Sequence, residues 1–173
     1  TDGRCCRLLS PYLLIGLSVI SVNPLFLMRR YSFGRIRRYL FLQMAKLPIP
    51  GHKRHFVLRM AGIKFPPPSE CDVFIGAGVR FDTLCPENIT IGNHTLITAG
   101  TTVLTHYYDP FTRDFRTGRV VVGEGVFIGV NTIVCKSVAI GDGAVVGAGS
   151  VVTKDIPAGE VWAGNPARFV RKL

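Results

Sequence analysis

Four histidines, His52, His55, His94 and His106, are the side chains of this sequence whose ordinary ionisation falls near neutral pH. A neutral imidazole can take a proton from an attacking hydroxyl and hand it on to a leaving group. His52 and His55 stand in a basic stretch, where a solvated or phosphate-facing role is the expectation. His94 lies inside IGNHTL at a position expected to point outward. His106 follows Thr105 in a stretch, 104–119, rich in His, Tyr, Asp, Pro and Arg, and loops carried on rigid scaffolds are where catalytic groups concentrate. Asp109, Asp114 and Glu124 are the nearby carboxylates that could orient it, and Asp82 could reach the same place from an earlier segment. His94 and His106 are too few for a three-histidine metal site. The five cysteines (Cys5, Cys6, Cys71, Cys85 and Cys135) contain no CxxC pair, so reduced thiols are expected instead of a zinc site or a disulfide frame.

The elements that must position His106 are legible from an internal repeat. Residues 122–157 read VGEGVF, IGVNTI, VCKSVA, IGDGAV, VGAGSV, VTKDIP, so Val or Ile recurs at 122, 128, 134, 140, 146 and 152. Four residues after the first five come Val126, Thr132, Val138, Ala144 and Ser150, all small or β-branched. Alternation along a strand lets residues i and i+4 point the same way while the chain turns a corner between repeats. Gly123, Gly129, Gly141 and Gly147 follow the aliphatic residue, where close backbone approach or unusual dihedrals favour glycine. Each hexapeptide is then one flat side of a coil. The pattern recurs upstream at Ile91, Ile97 and Val103, with Thr95 and Thr101 in the second phase, and once more at Ile75 and Phe81 before a four-residue slip, 85–88. From Val103 to Val122 the register jumps, and 104–119 is an excursion from the coil.

The formal charge of +10 is unevenly spread: residues 1–64 hold twelve of the 21 Lys and Arg against one acid, Asp2, whereas 65–173 is nearly neutral. These bases bracket an apolar stretch and come with no nucleic-acid reading motif, so an anionic membrane surface is the expected partner, not nucleic acid. Leu8–Met28 carries no charged residue but is interrupted by Pro11, Asn23 and Pro24, which fits an inserted or re-entrant segment as well as a span. The Arg-rich Tyr31–Met44 has the pattern of an interfacial amphipathic helix; an apolar helical pair packed on the neighbouring domain is the alternative. No small-x-small cleavage site follows the apolar run, so a cytoplasmic protein at the inner face of the membrane is expected. The reading divides the chain into a helical, membrane-associated segment, 1–64, and a β-helix domain, 65–173, with a short C-terminal tail.

From about Val73 onward the I-G-x-x-x-x tandem, the Thr105-His106 excursion, GAGSVVTKDIP (147–157) and AGNPARFVRKL (163–173) resemble the hexapeptide-repeat O-acetyltransferases, which include maltose, galactoside and polysaccharide acetyltransferases. The resemblance implies a mainly β fold, a left-handed parallel β-helix with three hexapeptides per coil, against the usual right-handed crossover preference. It implies a homotrimer with active sites between neighbouring subunits. It further implies acetyl-CoA as donor, a sugar or saccharide hydroxyl as acceptor and no metal. On this resemblance His106 is the catalytic base; Asp82, in the preceding coil where family members often carry Asn, is a second catalytic candidate from its position in the repeat. The pantetheine arm would run past Gly129-Val130 and Gly147-Ala148, and the phosphates would meet Thr153, Lys154 and Arg168. Phe127 stands where many relatives place Trp, keeping an aromatic wall without the indole donor. A non-catalytic β-helix scaffold, or an acyltransferase acting on serine or an amino sugar, is the alternative.

Overall fold

The computed structural model describes residues 33–173. The uncharged Leu8–Met28 stretch, Cys5 and Cys6 lie outside the described residues. Helix α1 (Phe33–Met44) and a short helix α2 (Arg54–Met60), joined through a 3-10 turn, Gly51–Lys53, precede fifteen short strands. Among the described residues no helix is long and apolar enough to cross a membrane.

The strands stack into three parallel sheets that form the sides of a β-helix. The first holds β1 (Phe74–Ile75), β4 (Leu96–Ile97), β9 (Phe127–Ile128), β12 (Val145–Val146) and β14 (Glu160–Ala163), closed by an antiparallel C-terminal strand, β15 (Arg168–Lys172). The second holds β2 (Arg80–Phe81), β5 (Thr102–Val103), β10 (Ile133–Val134) and β13 (Val151–Val152). The third holds β3 (Ile89–Ile91), β8 (Val120–Val122) and β11 (Val138–Ile140), extended by bridges from Ile140 to Ile156 and from Thr90 to Lys64. Each turn of the chain therefore visits the three sides in order. The excursion is a β-hairpin, β6 (His106–Asp109) and β7 (Asp114–Thr117), inserted between β5 and β8 at the corner that joins the second side to the third.

Both phases of the repeat point inward. The aliphatic series from Ile75 to Val152 is buried, and so are Val126, Thr132, Val138, Ala144 and Ser150. Their buried hydroxyls are satisfied by carbonyls at the corners: Thr132 Oγ1 donates to Gly129 O (2.7 Å) and Ser150 Oγ to Gly147 O (2.6 Å). Two reasons for glycine at the corners separate here. Gly129 lies under the next coil, where a Cβ would stand 2.5 Å from Ala148 N, so close approach is what excludes a side chain. The left-handed backbone falls two residues after such positions, at Gly125 (φ 63°), Gly143 (64°) and Gly149 (67°). His94 (54°) and Asn131 (55°) occupy the equivalent bend in their own coils.

The helices pack on the first coil, where Leu42, Ala45, Leu58, Ala61 and Ile63 join the same apolar core. Arg54 is buried there and donates from Nη1 to Ile75 O (2.7 Å) and to Gly76 O. His55 departs from the expectation of a solvated or phosphate-facing histidine. It is buried in α2 with its ring centroid 4.2 Å from that of Phe56, and burial, together with the charge of Arg59, pushes its imidazole below the ordinary range.

Candidate active site

The corner between the second and third sides carries the site. Phe81 pairs with Val103, and Asp82 N donates to Val103 O (2.9 Å), so Asp82 leaves the first coil directly beside the point where Thr105-His106 leaves the second. Coil stacking thus converts a separation of 24 residues into contact: His106 Nδ1 lies 2.6 Å from Asp82 Oδ2.

Asp82 has no exposed side-chain surface, whereas His106 keeps 25% of its own. The same Oδ2 accepts from Thr105 N (2.8 Å) and Thr105 Oγ1 (2.5 Å), and Oδ1 accepts from Leu84 N (2.7 Å). Burial alone pushes the Asp82 carboxyl up, but the Thr105 hydroxyl, the Leu84 N–H, His106 and the Thr105 N–H together hold it below the ordinary carboxylate range. An ionised carboxylate can only accept, so His106 Nδ1 donates to it, and in the neutral form of the ring the lone pair is on Nε2. The imidazole is also stacked on Phe115 of β7, with centroids 5.1 Å apart and planes at 21°. The ring is therefore fixed on one edge by a charge and on one face by an aromatic.

In front of His106 a cleft of about 290 Å³ opens between the outer face of β2 and β5 and the end of α1. Leu104, Thr102 and Arg80 line it from the sheet, Gln43 and Lys46 from the helical segment. The carboxylates near His106 in sequence do not serve it. Asp109 accepts from Phe111 N and Thr112 N within its own hairpin turn, Asp114 is exposed, and Glu124 lies one coil side away, at the corner between β8 and β9. His94 is exposed as expected and faces Asp72 (3.1 Å).

Six of the eight candidate coenzyme A residues fall on two edges of the second sheet. Gly129-Val130 and Gly147-Ala148 stack on each other at the corner between the first and second sides. Thr153 and Lys154 follow β13 at the opposite corner, the one that carries His106. Phe127 projects outward from the first sheet between Leu96 and Val145, and Arg168 opens β15 opposite Ala163. Phe115, Thr105 and the Leu84 N–H were not singled out as site groups from the sequence. Thr105 stands in the quoted Thr-His pair, but neither the hairpin pairing that sets Phe115 over the ring nor the Asx-type turn at Leu84 has a sequence signal of its own. No cluster of potential metal ligands occurs among the described residues.

Residues 119–154 match the family model described as the hexapeptide repeat of succinyl-transferase. The chain is 45% identical over 89 residues to YvoF of Bacillus subtilis (strain 168), an acetyltransferase by provisional name; the match takes in 51% of this chain and 51% of YvoF. The chain spans about half the length of the curated relatives it matches. A hexapeptide-repeat-containing acetyltransferase from Vibrio cholerae superposes with a TM-score of 0.62 at 26% identity, over 81% of this chain and 90% of that one. That protein has also been solved with acetyl coenzyme A. A maltose O-acetyltransferase from Clostridium difficile 630 superposes with a TM-score of 0.54 at 26% identity, over 86% and 88% of the two chains. The fold is thus the left-handed parallel β-helix of hexapeptide repeats with a helical segment before it, and the chain resembles the hexapeptide-repeat acetyltransferases in both sequence and fold.

Proposed function

We propose that the chain is a coenzyme A-dependent O-acetyltransferase that moves the acetyl group of acetyl-CoA to a hydroxyl of a sugar or saccharide precursor, with His106 as general base. The observation that carries the reading is the His106–Asp82 pair, 2.6 Å across, which engages Nδ1 and leaves Nε2 without a protein partner among the described residues, in a residue that lines a cleft of about 290 Å³. In this mechanism Nε2 takes the acceptor hydroxyl proton as its oxygen attacks the thioester carbon. The C–S bond then breaks, and the same proton passes from His106 to the departing thiolate. Asp82 is ionised, hydrogen-bonded and out of water, so it is suited to holding the imidazole in the required tautomer and to stabilising the imidazolium formed between the two transfers. The names of the Vibrio cholerae and Clostridium difficile proteins support the donor and the acceptor class respectively.

For acetyl-CoA, the reading gives Gly129, Val130, Gly147 and Ala148 the pantetheine arm along a corner where Gly129 and Gly147 leave no room for a Cβ, and Thr153, Lys154 and Arg168 the phosphates, with Phe127 as an apolar wall. His106→Ala should lower kcat by roughly 10²–10⁴-fold with little change in acetyl-CoA affinity, because proton transfer matters in the transition state and not in cofactor binding. Lys154→Ala should do the reverse, raising the KM for acetyl-CoA and leaving kcat largely intact. Thiol release measured beside thermal melting checks both. A folded His106→Ala protein with near wild-type kcat would remove His106 from the mechanism.

A further inference from the structure

The cleft in front of His106 carries more positive charge than a neutral acceptor requires. Arg80 opens β2 and donates from Nε to Thr102 Oγ1 (3.3 Å) on the neighbouring strand. Lys46, just beyond α1, donates from Nζ to Gln43 Oε1 (2.7 Å). Both cations line the cleft, and both are oriented by neutral side chains. Neither has a carboxylate partner among the described residues, whereas Arg38 nearby pairs with Glu87 (2.9 Å) and Arg116 approaches Asp109 (3.8 Å). Among the described residues the one carboxylate that lines the cleft is Asp82, whose side chain is buried with both oxygens already accepting hydrogen bonds. A ligand in this cleft therefore meets the free donors of a guanidinium and an ammonium beside His106, a field that favours anionic oxygen.

We propose that the acceptor is an anionic saccharide, one bearing a carboxylate or phosphate near the hydroxyl that receives the acetyl group, and that Arg80 and Lys46 hold that anion. This rests on the acetyltransferase reading and narrows its substrate. The two cations are distinct from the proposed coenzyme A phosphate site: Lys154 follows β13, at the far end of the four-stranded second sheet from β2. Three strand spacings, about 14 Å, separate those strands. The planar fork of Arg80 suits two oxygens of one carboxylate or phosphate, and Lys46 supplies a second point charge from the opposite wall. The acceptor hydroxyl is then placed by its own charge, leaving His106 to act on it.

The test uses the full chain and three probes, glucuronate, glucose 1-phosphate and glucose, titrated calorimetrically and then offered with acetyl-CoA in a thiol-release assay. At low salt at least one charged probe should bind and turn over about tenfold better than glucose, with the advantage shrinking as salt is raised. A preference for glucuronate identifies a carboxylate in the natural acceptor, and a preference for glucose 1-phosphate a phosphate. The double variant Arg80→Gln/Lys46→Gln should erase the preference while melting and acetyl-CoA affinity stay unchanged. An equal response to all three probes, including none at all, overturns the proposal, as does a double variant that weakens acetyl-CoA and not the charged probe. Acetyl-CoA is titrated separately. A chain that ignores acetyl-CoA yet keeps the charged-probe preference would end the acetyltransferase reading and leave the cleft's selectivity for anions standing.

Discussion

Asp82 is charged in a place where none of its side chain reaches solvent, and it is held there by hydrogen bonds from Thr105, Leu84 and His106. Its carboxyl lies below the ordinary range, so the unfolded chain binds that proton more readily than the folded one. The stability it contributes is therefore present above the ordinary carboxylate value, about 4, and is lost as pH falls through the lower folded value. Asp82→Asn should remove that acid-dependent loss and also lower kcat by roughly 10–10³-fold, because the amide neither stabilises an imidazolium nor fixes the Nδ1–H tautomer. Melting curves against pH, run beside kcat at a fixed folded fraction, test this. Activity that merely follows the folded fraction would give Asp82 a packing role only. From the sequence, Asp82 was one of four candidate partners. What distinguishes it is coil stacking: Phe81 and Val103 are in register, so the residues after them meet, while Asp109 is consumed by its own turn. Phe115 had no such signal, because its place over the imidazole depends on the hairpin register of His106 opposite Thr117.

The strands were legible because one physical rule repeats along the chain: every sixth side chain must be buried, and the residue four later must be small enough for a corner. The helical segment obeys no repeat, and its packing could not be read in the same way. Leu42, Ala45 and Leu58 join the β-helix core, which supports the packed-helix alternative for that face. The other face of α1 remains apolar and outward, with Phe33 (83% exposed), Ile36, Leu40 and Met44 spaced three or four residues apart and Arg35 and Arg37 beside them. That is the arrangement of an interfacial helix, and both expectations for the segment can hold at once, one on each face. The full chain should therefore co-sediment with vesicles containing anionic lipid, more weakly as salt is raised, and Phe33→Asp/Leu40→Asp should reduce the bound fraction severalfold. Binding that does not depend on lipid charge, or that is indifferent to the double variant, would count against membrane attachment through α1.

At the scale of the whole molecule, the residues proposed for one reaction are divided between two edges of one chain. His106 and Lys154 lie on the edge between the second and third sides, while Gly129-Val130 and Gly147-Ala148 lie on the edge between the first and second. A straight β-helix cannot fold one of its edges onto another. Packing identical chains side by side can bring the first edge of one against the second edge of its neighbour, and three copies around an axis close the arrangement. The first sheet offers an apolar surface for such packing: Phe74, Leu96, Phe127, Val145 and Val161 form one outward cross-strand row, whereas the second sheet's row begins with Arg80 and Thr102. Leu96 lies at the middle of the exposed part of that row and is 44% accessible in the single chain. The chain should accordingly sediment as a trimer of its 19.0 kDa unit. Leu96→Glu should release monomers that melt as folded protein but have lost most thiol-release activity, since each would keep only part of a site. Analytical ultracentrifugation and activity measured down to nanomolar concentration decide the matter, and a fully active monomer would show that a single chain holds both edges of its own site.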